Sequence, residues 1–176
     1  MFGLSDTPAG SDILDLLKRD HRQVDEMFEE YETLKGDGAG RAKAELAARI
    51  CEALTVHAAV EEEIFYPAVR KADAGIHDLI SEAAVEHQSL KDIIGRLQAA
   101  PVTDPLYDAG VKVLGEYVRH HVKEEENELF PRVRRIDLNR EALGQKVLER
   151  KAELERQART PDATRNGGAR RAMART

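Results

Sequence analysis

One stretch of this sequence occurs twice. Residues 57–67, HAAVEEEIFYP, recur as residues 121–131, HVKEEENELFP, so the histidine, the glutamate four residues after it and the proline each reappear 64 positions later. On an α-helix, residues i and i+4 lie above one another on the same face, so each copy directs an imidazole and a carboxylate toward one point. Each copy therefore supplies half of a candidate metal site.

Apolar residues at steps of three and four predict four long helices. We place them at about residues 11–35, 41–66, 76–99 and 105–130, with glycines and prolines in the connections. Proline disfavours helical geometry in the residue before it, so Pro67 is expected to kink or end the second helix at Tyr66. The inward stripe of that helix is predicted to be Ile50, Leu54, His57, Glu61, Ile64 and Ala68.

The duplication extends beyond the repeated stretch. Asp20-His21 in the first predicted helix is matched by Glu86-His87 in the third, so the first two helices resemble the last two. Two similar helical hairpins with short connections form an antiparallel up-down four-helix bundle with an approximate internal twofold axis. The predicted fold is therefore all-α, with a loop at 1–10, a bundle at 11–135, a short helix at 136–158 and an Arg-rich tail at 159–176.

Charge is distributed unevenly along the chain. The tail has five arginines and one aspartate, a charge of +4, so the net charge of -6 leaves -10 for residues 1–158. A basic end without apolar periodicity is typical of disordered chain. The acidic body argues against nucleic-acid binding as the main function, whereas the C-terminal helix and the tail are candidate contacts for a protein partner.

Every predicted stripe has a histidine at its centre, and two of the stripes add a glutamate. A single histidine on an apolar face is more often a hydrogen-bonded core residue than a metal ligand. Burying several such groups without partners costs about 1–3 kcal/mol each, and a cation removes that cost when they converge. The predicted metal ligands are His21, His57, Glu61, His87, His121 and Glu125.

The ordered pattern H…HxxxE…H…HxxxE, over about residues 11–135, resembles the hemerythrin-like (HHE cation-binding) family. The resemblance implies a four-helix bundle that holds a non-haem centre of two Fe ions with a bridging oxo or hydroxo group. Carried over by position, His21 and His57 would bind one iron, and His87 and His121 would bind the other. Glu61 and Glu125 would bridge the two irons.

The sequence differs from the animal oxygen carriers of that family. Those proteins have HxxxH in the third helix, whereas Ala83 and Lys91 stand four residues to either side of His87 here, so one histidine ligand is missing. Tyr117, one turn before His121, is predicted as an extra ligand or a hydrogen-bonding neighbour of the site. The alternative for Tyr117 is a core tyrosine with a hydrogen-bonded hydroxyl.

Four further acids lie close to these residues in sequence. Glu62 and Glu126 follow their histidines by five positions, so we expect them beside the site or in solvent. Asp20 and Glu86 directly precede a histidine and are expected to be solvated charges next to the site.

The resemblance implies a protein that binds or senses O2 or a related small oxidant such as peroxide. An enzyme that disproportionates peroxide or reduces O2 or NO is the alternative, because the missing histidine leaves exchangeable metal positions. A third reading is an iron-handling or regulatory module.

Location follows from composition. With one cysteine, Cys51, the chain cannot form an intramolecular disulfide, and no apolar run reaches the length of a membrane span or of a signal-peptide core. We therefore predict a cytoplasmic protein without membrane contact.

Overall fold

The computed structural model describes residues 12–34 and 39–159. The predicted loop at 1–10 and residues 160–176 of the predicted tail lie outside the described residues. No strand occurs in the described ranges, and the all-helical prediction is confirmed. The α-helices are α1 Ile13–Thr33, α2 Gly40–Val60, α3 Tyr66–Ala72, α4 His77–Ala99, α5 Tyr107–Glu124, α6 Phe130–Val133 and α7 Arg140–Arg159.

The four long helices α1, α2, α4 and α5 pack as the two predicted hairpins. Helix α1 lies against α2, and α4 lies against α5; α2 also contacts α4, and α1 contacts α5. Asp12 caps α1 by accepting a hydrogen bond from the Leu14 amide at 2.9 Å. The four inward faces therefore enclose one bundle interior.

Each repeated stretch contains a π-helical turn, at Glu61–Phe65 after α2 and at Glu125–Leu129 after α5. Each turn ends two residues before a proline that sits in the first turn of the next helix. Proline lacks an amide hydrogen, and its ring clashes with the carbonyl four residues back, so a wider turn relieves the helix at this point. The helix containing Pro67 thus continues to Ala72 instead of ending at Tyr66.

The extra residue in the first π-helical turn changes which side chains face inward. The prediction of Ile64 and Ala68 as inward residues is wrong: both are only partly buried. Phe65 and Val69 are fully buried instead, one position later along the chain. A wider turn delays the helical register by one residue, so Tyr66 also faces the interior.

Two apolar clusters fill the interior, one toward each end of the bundle. The first includes Val24, Phe28, Leu54, Leu90, Leu114 and Val118. The second includes Leu17, Val60, Phe65, Tyr66, Phe130 and Val133. The buried polar residues belong to neither cluster and form a polar layer between the two.

Helix α7 packs across α1 and α2 on one side of the bundle. Asn139 caps it, with Oδ1 accepting from the Ala142 amide at 3.0 Å, and its Val147 is fully buried in the second apolar cluster. Lys151 of α7 also pairs with Asp20 of α1. The predicted C-terminal helix is therefore a covering layer over the first hairpin.

Candidate metal centre

Four buried histidines form two pairs in the polar layer. His21 of α1 and His57 of α2 approach with their Nε2 atoms 3.2 Å apart. His87 of α4 and His121 of α5 do the same at 3.0 Å. Each hairpin thus contributes one pair, as the internal duplication predicts.

Two glutamates connect the pairs. Glu61 places Oε1 at 3.2 Å from His57 Nε2 and Oε2 at 3.3 Å from His87 Nε2. Glu125 places Oε2 at 3.3 Å from His21 Nε2 and at 3.7 Å from His121 Nε2. The structure therefore brings all six predicted residues together, and each carboxylate reaches both histidine pairs.

In each of these four histidines, the Nδ1 atom faces away from the pair and contacts a carboxylate from another part of the bundle. The Nδ1 contacts are His21 with Glu126 at 2.8 Å, His57 with Asp20 at 3.2 Å, His87 with Glu62 at 3.0 Å and His121 with Glu86 at 2.7 Å. A carboxylate on Nδ1 fixes the ring and directs Nε2 to the centre. The four acids repeat with the internal symmetry.

Asp20 and Glu86 are not the solvated charges that their sequence positions suggested. Each is only partly exposed and contacts a histidine of the neighbouring helix. The pKa of Asp20 is lowered, because His57 and Lys151 outweigh the effect of burial. A signal for these roles was present in the sequence, since both copies have an acid immediately before the first histidine.

The charges of the polar layer compensate one another only in part. Burial opposes protonation of His57, but Glu61 and Asp20 outweigh it and raise the pKa to about 10. The pKa of Glu61 is held well below its usual value because His57 and His87 outweigh its complete burial. Even so, both oxygens of Glu61 and Oε2 of Glu125 are buried without a hydrogen-bond partner among the described residues.

Those carboxylate oxygens fit a bound cation. They converge with the histidine nitrogens in two groups that share Glu61, and the donor atoms within each group lie within 4.8 Å of one another. Mixed imidazole and carboxylate donors suit Fe, Mn and Zn. The groups are His21, His57, Glu61 and Glu125 on one side, and Glu61, His87 and His121 on the other.

The prediction for Tyr117 is wrong. Its side chain is 50% exposed, so it neither reaches the polar layer nor belongs to the core. The buried face of α5 runs through Leu114 and Val118, and Tyr117 lies off that line. A spacing of four residues from His121 was therefore not enough to predict that Tyr117 faces the site.

A different tyrosine reaches the site. The Tyr66 hydroxyl donates to Glu125 Oε1 at 2.9 Å and lies 3.5 Å from His87 Nε2. Burial and the nearby carboxylates Glu61 and Glu125 raise the pKa of Tyr66 well above its usual value, so it remains a donor. Phe130 takes the equivalent position in the second copy and stacks on the His21 ring.

An apolar chamber adjoins the histidine pairs on the side opposite Tyr66. Its walls come from the first apolar cluster, and its outer residues Thr55 and Lys91 are exposed between α2 and α4. The chamber walls include Val24, Leu54, Leu90, Ile94 and Val118. A small neutral molecule entering here would meet the Nε2 atoms without crossing a charged barrier.

Fold and site together define a cation-binding helical bundle. The sequence matches the hemerythrin HHE cation binding domain over residues 12–133, and the chain belongs to this family. The predicted resemblance is thereby confirmed. The family match, together with the histidine and carboxylate cluster, identifies a hemerythrin-like metal-binding protein.

Two known proteins are similar to the chain. A hemerythrin HHE cation binding domain-containing protein from Mycobacterium kansasii shares 22% identity with a TM-score of 0.69, over 84% of this chain and 89% of that one. A DNA nickase from Nostoc sp. is 29% identical over 124 residues, which are 69% of this chain and 33% of the relative. The chain thus spans about one third of the nickase.

No helix in the described ranges is both long and apolar enough to cross a membrane.

Proposed function

We propose that the polar layer holds two iron ions and that this pair binds O2 or a related small oxidant. The observation that carries the proposal is the arrangement of two Nε2 pairs joined by two buried carboxylates. One iron would take the His21 and His57 nitrogens, the other those of His87 and His121, and Glu61 and Glu125 would bridge them.

Each iron would have two nitrogen ligands and two bridging oxygen ligands from the chain. This set leaves positions open for an exogenous ligand. When bound, an iron pair supplies two electrons together to O2 or peroxide. The protein residues orient the imidazoles through their Nδ1 carboxylates and exclude water with apolar layers above and below.

The apolar chamber supports a small neutral ligand. Apart from Asp20 and Thr55, its lining is apolar up to the histidine nitrogens, and the cation of Lys91 is held at its outer end by both oxygens of Glu62. O2 is neutral and sparingly hydrated, so it enters such a space at low cost, whereas an anion or a large substrate does not.

The test is reversible oxygen binding by the anaerobically reduced protein. We expect a visible absorption change on adding O2 that reverses under vacuum, and we expect Glu61→Ala to abolish it with the bound iron. Glu128→Ala is the matched control, because Glu128 lies in the second copy of the repeated stretch and is exposed. Wild-type protein that holds two irons and gives no spectral response to O2 would contradict oxygen binding.

A peroxide-disproportionating enzyme is the second candidate, and the Tyr66 hydroxyl favours it. This O–H group lies between a bridging carboxylate and His87, where it can give and regain a proton. If the protein turns over peroxide, Tyr66→Phe should lower the rate of O2 evolution at least tenfold at unchanged iron content. An equal rate in the variant would remove the only structural support for this enzyme.

A further inference from the structure

The two hairpins present different surfaces outside their histidine pairs. By the offsets of 66 and 64 residues, four positions of α1 and α2 correspond to four positions of α4 and α5. In the first hairpin they are Leu16, Asp20, Val56 and Val60, and in the second they are Glu82, Glu86, His120 and Glu124. Three of the four in the first hairpin are buried apolar residues on the side that α7 covers.

The second hairpin carries an acidic cluster with one imidazole at these positions. His120 Nε2 lies 3.1 Å from Glu124 Oε1 and 3.7 Å from Glu86 Oε1, and these donor atoms could share one cation. Among the described residues, Glu82, Glu86 and Glu124 form no ion pair with lysine or arginine.

A narrow cleft connects this cluster to the buried centre. Glu82, Glu86 and Glu124 line its outer part, and His121 and Glu125 line its inner part. Glu125 is 2% exposed, and its Oε2 has no hydrogen-bond partner within the described ranges. An acceptor without a donor therefore stands at the inner end of a cleft whose outer end collects negative charge.

The other opening of the centre is unsuited to a cation. The apolar chamber has Lys91, paired with Glu62, at its outer end. The oxygen-bearing side chains in its lining are Thr55 and Asp20, and Asp20 is already paired with His57 and Lys151. A divalent ion entering through the acidic cleft would meet the carboxylates of Glu82, Glu86 and Glu124 before Glu125, while Leu79, Ala83 and Leu129 supply the apolar part of the lining. Neutral ligands and cations would thus use different sides of the bundle.

We propose that Glu82, Glu86, His120 and Glu124 form a surface capture site for a divalent metal ion, which passes through the cleft to Glu125 and the central site. The exposed position and mixed carboxylate and imidazole donors fit a weak, exchangeable site for Fe2+ or Mn2+. The transfer is a ligand exchange without change of oxidation state. This inference rests on the proposed function in one respect, since delivery requires that the centre binds metal.

The first test locates the capture site by NMR. Mn2+ is added in small amounts to the full-length protein that already holds its central metals, and broadening of backbone amide signals is mapped. We expect broadening centred on residues 82–86 and 120–124, which disappears in the double variant Glu82→Gln/Glu124→Gln. Broadening that is absent there, or that persists in the variant, would overturn the capture site.

The second test measures delivery. Fe2+ is added anaerobically to metal-free protein, samples are quenched with a chelator, and protein-bound iron is followed in time. We expect Glu82→Gln/Glu124→Gln to load at least tenfold more slowly while reaching the same final content. The matched control Glu26→Gln/Glu30→Gln removes the same charge from exposed positions of α1 and should load within twofold of wild type.

The two tests separate the inference from the proposed function. Equal loading rates in the double variant and its control would overturn delivery through the cleft, even with the central site full. Wild-type protein that takes up no central metal would contradict the proposed function, and the same Mn2+ mapping on the metal-free protein would then decide the surface site on its own.

Discussion

Tyr66→Phe tests the hydrogen-bonded support of the polar layer. The hydroxyl donates at 2.9 Å to Glu125 Oε1, and the other oxygen of that carboxylate has no hydrogen-bond partner among the described residues. The variant keeps the ring, so it opens no cavity and removes one donor only. A buried carboxylate then loses its hydrogen bond without access to water.

The expected cost follows from that single contact. Hydrogen bonds to charged groups contribute about 1.5–3 kcal/mol, and a buried acceptor left without a donor loses this in full. We therefore expect the free energy of unfolding of metal-free protein at pH 7 to fall by about 1.5–3 kcal/mol. Tyr107→Phe is the control, because the Tyr107 ring is buried while its hydroxyl makes no hydrogen bond to another described residue and is not among the buried unpartnered atoms, and it should change the value by less than ~0.5 kcal/mol.

The free energy of unfolding is measured by urea unfolding monitored by circular dichroism. The internal duplication adds a reciprocal variant, Tyr66→Phe/Phe130→Tyr, which returns the hydroxyl on the other side of the twofold axis, near Glu61. We expect it to recover part of the loss, since both Glu61 oxygens lack a hydrogen-bond partner. A loss below ~0.5 kcal/mol for Tyr66→Phe, equal to that of Tyr107→Phe, would refute the argument.

Three further predictions concern orientation, protonation and packing. Asp20→Asn weakens the hold on His57 Nδ1 and should lower metal affinity about tenfold to a hundredfold in a chelator competition. Metal-free protein should lose stability between pH 7 and 10.5 in urea unfolding, because the pKa of His57 is raised to about 10 in the folded state. The contribution of protonated His57 to the free energy of unfolding is complete below its unfolded pKa of about 6.5 and is lost as the pH rises through the folded value. Leu114→Ala empties a fully buried position and should cost about 2–5 kcal/mol by the same method.

Each of these has a clear contrary result. Unchanged metal affinity in Asp20→Asn would mean that the carboxylate does not orient His57. A urea midpoint that stays level or rises from pH 7 to 10.5 would contradict the protonated, paired state of that histidine. A cost below ~1 kcal/mol for Leu114→Ala would show that the first apolar cluster closes around the gap.

The helical fold and the convergence of six residues followed directly from periodicity and duplication. Spacing of four placed His57 with Glu61 and His121 with Glu125, and the repeat placed one hairpin opposite the other. Such patterns predict which residues share a helix face and which helices pair, as long as the α-helices are regular. The ligand role of these residues remains a prediction that metal analysis must test.

One error arose where the helix departs from regular geometry, and the other arose on a regular helix. The π-helical turn at Glu61–Phe65 shifts the register by one residue, which brings Tyr66 inward and turns Ile64 partly outward. Tyr117, on a regular helix, failed because the buried line of α5 runs past it. The prolines at the same place in both copies were the available signal for the wider turn.

Contacts between different helices could not be predicted from residue spacing along one helix. Glu126 reaches His21, and Glu62 reaches His87, across the bundle from the ends of other helices. These contacts depend on how helices cross, which a periodic pattern along one helix does not determine. The symmetric placement of both acids five residues after a histidine was nevertheless a usable hint.

The central claim is a pair of irons in the polar layer, and metal analysis of protein purified without added metal tests it most directly. The visible spectrum is recorded on the same sample before and after reduction with dithionite. We predict two irons per chain with a reducible visible spectrum, and loss of both irons in His57→Ala and Glu61→Ala. A folded wild-type protein containing one zinc or no metal, or variants that keep two irons, would contradict the account.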